Sequence, residues 1–268
     1  MTLSRRYAIL CVCIHALFVS SFARSQNQAD ETPDPIQVIS GAINALGVAS
    51  AYASVKDIMT AGTCTREATL RSQSQDGSAQ FKWTVAGTEY RYESSSGSSH
   101  SVLASGHGHP AGSSSALPSP RKLSIIGGQL RLPYHLPGLL LYRESRDSNY
   151  SIRYMGTKAL PEGTASWVRI SQNVNGRPIT SSIQDWFIGA DGLPLGVDHY
   201  IAGEASIKYL LPIQTRFSDF RPIQNLLLPT TITSKVAGRS PVTCTVTEST
   251  FNVSPNDATF DLVSGGQQ

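Results

Sequence analysis

The side chains best suited to chemistry are few and scattered. His100, His107 and His109 lie close together, and Gly106-His107-Gly108-His109-Pro110 sets two imidazoles between glycines. Such a pair holds a metal ion only with a further fixed ligand and rigid surroundings. The neighbouring sequence offers neither, so these histidines are read as part of a solvated loop, and no metal or other cofactor is assigned. His135, beside Tyr134, and His199, beside Tyr200, read as core or rim residues rather than bases. Asp185 and Asp198 would oppose each other if the chain between them is a hairpin. A carboxylate pair suits acid–base work, but a solvated outer face is an equal reading. There is no Gly-x-Ser-x-Gly elbow and no phosphate-cradling glycine loop ahead of a helix. No catalytic set emerges, and a non-enzymatic protein is expected, a metal enzyme built on the histidine loop being the lesser alternative.

The elements that would position these residues are mostly strands. In Ser182–Ile201, Trp186, Phe187 and Ile188 suit a pleated surface, and Leu193, Leu195, Val197, His199 and Ile201 alternate with Pro194, Gly196, Asp198 and Tyr200. Gly189-Ala190-Asp191-Gly192 between them supplies the positive φ of a tight turn. Similar units are expected at Asp57–Leu70, Gln80–Val85 with Glu89–Ser94, Tyr150–Leu160, Thr164–Gln172, Ala205–Asp219, Leu228–Ala237 and Val242–Phe251. Asp34-Pro35 opens a helix with Ile36, Ile39, Ile43 and Leu46 at helical spacing and Gly47 at its end. A second short helix is expected from Ser50. Leu123–Tyr142 is a further helical candidate, broken by Gly127-Gly128, Pro133 and Pro137 into pieces that leave Gly138-Leu139-Leu140-Leu141 as an apolar knot. The Ser-, Gly- and Pro-rich stretch 94–120 reads as a mobile loop around a short strand at Ser101–Ala104. About ten strands with short connections imply a mainly β fold. The expectation is an incomplete antiparallel barrel, a curled sheet with an N-terminal helix and a short helical lid on its concave face.

Met1–Ser25 has the form of a secretory signal peptide: Arg5-Arg6, an apolar Tyr7–Phe22, and small residues at Ala23 and Ser25. An uncleaved anchor is the alternative, but the run is short and interrupted by His15, Ser20 and Ser21. Cys11 and Cys13 lack the preceding small residue of a lipidation site. The domain plan is therefore leader 1–25, flexible linker 26–33, one domain 34–263 and a free tail 264–268, with no stable transmembrane segment after cleavage. The whole chain has 22 basic and 19 acidic residues, and losing Arg5, Arg6 and Arg24 with the leader balances the charge. A neutral surface without basic runs excludes a nucleic-acid binder. Cys64 and Cys244 remain in the exported portion, where a disulfide or two buried thiols both fit, since spacing does not reveal the Cα separation.

AINALG followed by SVKDIMTAGTCT, then WFIGADGLPLGVDHY, LLLPTTITSKVAG and the closing FNVSPNDATFDL together resemble the periplasmic lipoprotein carriers and receptors of the LolA/LolB-like superfamily. The resemblance implies a half-barrel with helices over an apolar cavity for acyl chains, and a periplasmic or secreted location. It implies lipid or an acylated lipoprotein as partner, with an envelope protein bound through the same fold as the alternative. No cargo-gating arginine is matched to a position here. On this reading Trp83, Tyr90, Tyr92, Trp167, Trp186 and Phe187 are candidate wall residues, and Ile39, Ile43, Leu46, Leu139, Leu140 and Leu141 candidate lid residues. Ordinary core packing is the alternative for each.

Overall fold

The computed structural model describes residues 32–66, 77–87, 89–106, 109–113, 135–202 and 210–261, with backbone alone at 109–113, 201 and 202. The chain divides into two units, Met1–Pro33 and Asp34–Gln268, and the architecture below is that of the second. The leader, all but the end of the linker, His107, the stretches 114–120 and 123–134, Leu262 and the tail lie outside the described residues.

Helix α1 spans Pro35–Leu46. Asp34 starts it: its carboxylate accepts from Ile36 N at 2.9 Å, and Pro35 takes the first turn, where its missing N–H costs nothing. Ile39, Ala42, Ile43 and Leu46 form its buried stripe. A short helix α2, Ala49–Ala53, follows and buries Tyr52, whose hydroxyl donates to Leu46 O at 3.1 Å. The strands are β1 (Asp57–Arg66), β2 (Ser78–Ala86), β3 (Glu89–Ser96), β4 (Ser99–Gly106), β5 (His109–Ser113), β6 (Tyr150–Leu160), β7 (Gly163–Val174), the two-residue β8 (Arg177–Pro178), β9 (Gln184–Ile188), β10 (Pro194–Ala202), β11 (Leu210–Ile223), β12 (Leu226–Val236) and β13 (Val242–Phe251). Helix α3, Pro137–Glu144, lies between β5 and β6 in sequence.

All strands join one antiparallel sheet in the order β5-β4-β3-β2-β1-β13-β12-β11-β10-β9-β7-β6, with β8 beside β7. The sheet is curled and does not close: β5 and β6 stand at opposite ends of the order. It is a chain of hairpins with one long-range seam, where β13 returns to pair with β1. Cys64 and Cys244 are direct partners across that seam and form a disulfide, spanning 180 residues of sequence. Helix α3 packs against both α1 and α2, and α1 also lies against β6, β7 and β12. The main core fills this interface: Ile39, Ile43, Leu46, Tyr52, Leu139, Leu140 and Leu141 on the helices meet Val168, Ile170, Trp186, Ile188, Val197, Phe217, Leu226 and Leu228 on the strands. The helix-covered side of the sheet is its inner face.

The expected fold class is the one observed, with several differences of detail. The Ser-rich stretch is strand through much of its length: β3 runs to Ser96, and β4 and β5 form a further hairpin. Serine tolerates the pleat, and the pairing of Tyr92 with Leu103 and the burial of Val102 and Ala104 supply the apolar contacts that composition understated. Pro137 starts α3 rather than breaking a helix, because it occupies the first turn. The alternation through β10 is interrupted by a bulge: Pro194 pairs with Ile188 and Gly196 with Phe187, which leaves Leu195 as the extra residue. Pro194, Val197 and His199 are buried, while Leu195 is only half-buried.

Candidate functional site

The turn 189–193 is built by local hydrogen bonds. Gly189 N donates to Leu193 O at 2.8 Å, Leu193 N donates to the Asp191 carboxylate at 3.0 Å, and Gly192 adopts φ +82°. Gly192 approaches the backbone of Gly41 and the side chain of Ala45, so the turn seats α1 on the sheet. At the other end of β1, the buried carboxylate of Asp57 accepts from Val253 N at 2.7 Å and Ser254 N at 3.2 Å. That clamp fixes the turn after β13, where Asn252 and Ser254 have positive φ. Helix α3 meets α2 at Gly138, where a Cβ would stand 2.1 Å from the Tyr52 hydroxyl.

These elements sort the candidate residues into three groups. Ile39, Ile43, Leu46, Leu139, Leu140, Leu141 and Trp186 share the main core, with the Trp186 ring stacked on Phe217 at 6.2 Å. Trp83, Tyr90 and Tyr92 form a second cluster with Val85 and Leu103 on β2, β3 and β4. Trp83 lies against His135 at 4.2 Å between ring centres, just ahead of α3. Trp167 and Phe187 belong to neither cluster. Each neighbours an inward residue, Val168 and Trp186, so the pleat turns them to the outer face. There Lys158 and Arg216 lie over the Phe187 ring at 4.4 and 5.3 Å, and Lys158 and Arg169 over Trp167 at 5.7 Å.

Asp185 and Asp198 are direct cross-strand partners, yet each has its own cation. Asp185 takes two hydrogen bonds from Arg169, at 2.8 and 2.9 Å, and Asp198 one from Arg216 at 2.7 Å. The solvated outer face is thus the arrangement observed, a charge ladder roofing two aromatic rings. Of the clustered histidines, the side chain of His100 alone is described, exposed on β4. No group of three potential metal ligands occurs among the described residues. A depression of about 370 Å³ lies at the bulge of β1, lined by Thr63, Gln80, Lys82, Glu93, His100 and Thr247 among others. Its lining is mixed, with Phe81 and Ala61 beside the polar groups, and includes no residue of the main core.

Two titratable groups buried on the inner face were passed over by sequence reasoning or taken as ordinary core. Glu144, 4% exposed at the end of α3, accepts from Gln184 Nε2 at 2.6 Å, while Gln184 Oε1 accepts from Trp186 Nε1 at 3.0 Å. Burial pushes the Glu144 carboxyl up to about 8, helped by the charge of Asp147 and opposed by the Gln184 hydrogen bond. His199, paired in register with Gln184, is held neutral by burial, with its pKa lowered to about 4. Its Nε2 lies 3.4 Å from Thr215 Oγ1, which in turn lies 3.3 Å from Ser234 Oγ. A polar strip therefore crosses the inner face from α3 to β12 beside the apolar core. The one sequence signal for it was a run of polar residues, Gln184, His199, Thr215 and Ser234, at inward positions of otherwise apolar strands.

No family profile and no curated protein matches the sequence. Among solved structures, the chain is similar to a DUF1329 family protein from Desulfovibrio piger, with 12% identity, 85% of this chain and 98% of that one covered, and a TM-score of 0.50. A LolA superfamily protein from Nitrosomonas europaea matches with 11% identity over 84% of this chain and 96% of its own, at a TM-score of 0.47. A putative outer membrane lipoprotein-sorting protein domain from Vibrio parahaemolyticus matches with 8% identity over 84% and 95%, at 0.43. The likeness at a TM-score of 0.50 is one of fold alone. No helix among the described residues is long and apolar enough to cross a membrane.

Proposed function

We propose that the protein is exported and binds a hydrophobic ligand, a lipid or the acyl group of a lipoprotein, between helices α1 and α3 and the inner face of the sheet. One observation carries the reading: an open, curled sheet is covered on one face by helices whose contacts with it are aliphatic and aromatic. A cover held by such contacts can exchange them for an acyl chain of the same chemistry, each methylene buried being worth about 0.8 kcal/mol. The wall is then Trp186 with its inward neighbours, the lid Ile39, Ile43, Leu46, Leu139 and Leu140, and Trp83, Tyr90 and Tyr92 extend the wall across β2 and β3. Trp167 and Phe187, on the outer face, brace the wall from behind. The task is carriage rather than catalysis, in the periplasm or outside the cell.

The test is titration of the purified protein with a fluorescent acyl ester, followed by displacement with an unlabelled one. Saturable binding at micromolar probe is expected, weakened at least tenfold by Ile43→Glu or Leu140→Glu, which place a charge in the acyl path. No saturable binding by the wild-type chain would overturn the reading.

A further inference from the structure

Glu144 is a buried carboxyl with half of its hydrogen-bonding capacity unspent. Its Oε2 is buried and has no partner, while Oε1 is held by Gln184. The orientation of that pair is determined by Trp186. The indole N–H occupies Gln184 Oε1, so the amide nitrogen faces Glu144 and donates to Oε1. Burial favours the neutral carboxyl, and with Oε1 accepting from Gln184 the proton falls to Oε2. The result is an orphaned O–H donor, fixed by a chain of three side chains anchored on β9, at the margin of the apolar core.

We propose that Glu144 selects the head of the bound molecule: an acyl ester or amide whose uncharged carbonyl accepts the hydrogen bond of Glu144 Oε2, with anionic heads excluded. The proposal rests on the lipid-binding reading above and gives it a ligand class. The exclusion follows from the surroundings. Asp147 is the charged group that Glu144 feels, and it is an anion; the Tyr150 phenol, its pKa raised by burial, is uncharged. His199, beyond Gln184 on β10, is uncharged. Of the nearby cations, Arg143 on α3 is exposed and Arg146, just past its end, lies over the Tyr142 ring at 4.5 Å; no cation forms an ion pair with Glu144 among the described residues. A carboxylate or phosphate head would enter this site without a counter-charge, whereas an ester carbonyl brings an acceptor and no charge.

The experiment is competition at pH 6.5 between monoolein, a neutral ester, and oleate, of the same chain, for the site labelled by the fluorescent acyl ester. It uses the wild-type chain, Glu144→Gln and Glu144→Leu. Wild type should favour monoolein by about tenfold, the scale of one well-placed buried hydrogen bond. Glu144→Gln keeps an N–H donor in place of the O–H and should keep the preference. Glu144→Leu should lose it while still binding the acyl chain. Equal competition by the two lipids in wild type overturns the headgroup assignment and leaves acyl binding standing. A preference that survives in a folded Glu144→Leu chain, checked by circular dichroism, also overturns it. If that variant does not fold, the wild-type ratio decides alone. Failure of both lipids to compete overturns the binding reading itself.

Discussion

Glu144, His199 and His135 make the folded state sensitive to pH in opposite directions. Glu144 has its pKa raised by burial to about 8, so between pH 4.5 and 8 the unfolded chain ionises it and the folded chain does not. Stability from this residue is full below 4.5 and is lost as pH rises towards 8. His199 and His135 are lowered by burial to about 4 and about 3, so the unfolded chain protonates them below 6.5 and the fold resists. Their stability is full above 6.5 and is lost as pH falls. Urea unfolding should therefore show a maximum near pH 6.5, with a loss of roughly 2 kcal/mol between 6.5 and 8. Glu144→Gln should flatten that upper limb and steepen the lower one between pH 4.5 and 6.5, where Glu144 opposes the histidines; an unchanged upper limb would show that Glu144 is not the group responsible. A second residue-scale pair concerns glycine. Gly138→Ala forces a methyl into the Tyr52 hydroxyl and should cost on the order of 1–3 kcal/mol. Gly41→Ala, on α1 with nothing within 4 Å of the added carbon, should stabilise by about 0.5–1 kcal/mol. Thermal melts of the two variants should move in opposite directions.

At the scale of elements, the seam between β1 and β13 closes the sheet's longest connection. The Cys64–Cys244 disulfide crosses that seam with a sequence separation of 180. In the chain-entropy account, replacing both cysteines by serine should lower stability by about 2–5 kcal/mol. Denaturant unfolding with and without reductant reads it: wild type loses this amount on reduction and the double variant is indifferent. Much of the element order was legible in sequence because local signals agreed. Asp34-Pro35 starts α1, Asp191-Gly192 turns β9 into β10, and inward alternation holds Gln184, Trp186 and Ile188 together. What was not legible depends on distant contacts. The bulge at Leu195 follows from where Gly196 meets β11, whose Thr215 O would stand 2.4 Å from a Cβ there. Of β4 only Ser101–Ala104 was legible, because serines conceal a pleat that only the opposite strand makes visible. Glu144 drew no reading at all, since nothing near it in sequence announces Gln184, 40 residues on. The disulfide, too, became decidable only when register made Cys64 and Cys244 partners.

The unit from Asp34 onward is an open sheet with one face packed under helices, and its proposed task depends on whether that cover exchanges its own apolar contacts for an acyl chain. The outer face, with Arg169–Asp185 and Arg216–Asp198 laid over Trp167 and Phe187, supplies a stiff back to the wall. Stiffness behind and a releasable cover in front are what a carrier needs, because the binding surface must survive the departure of the lid. The measurement that bears most directly on this is native mass spectrometry of the protein expressed with its leader and purified without detergent. Added mass from a neutral acyl lipid, lost in Leu140→Glu, is the predicted result. A spectrum containing only the bare polypeptide, before and after incubation with monoolein, would contradict the account.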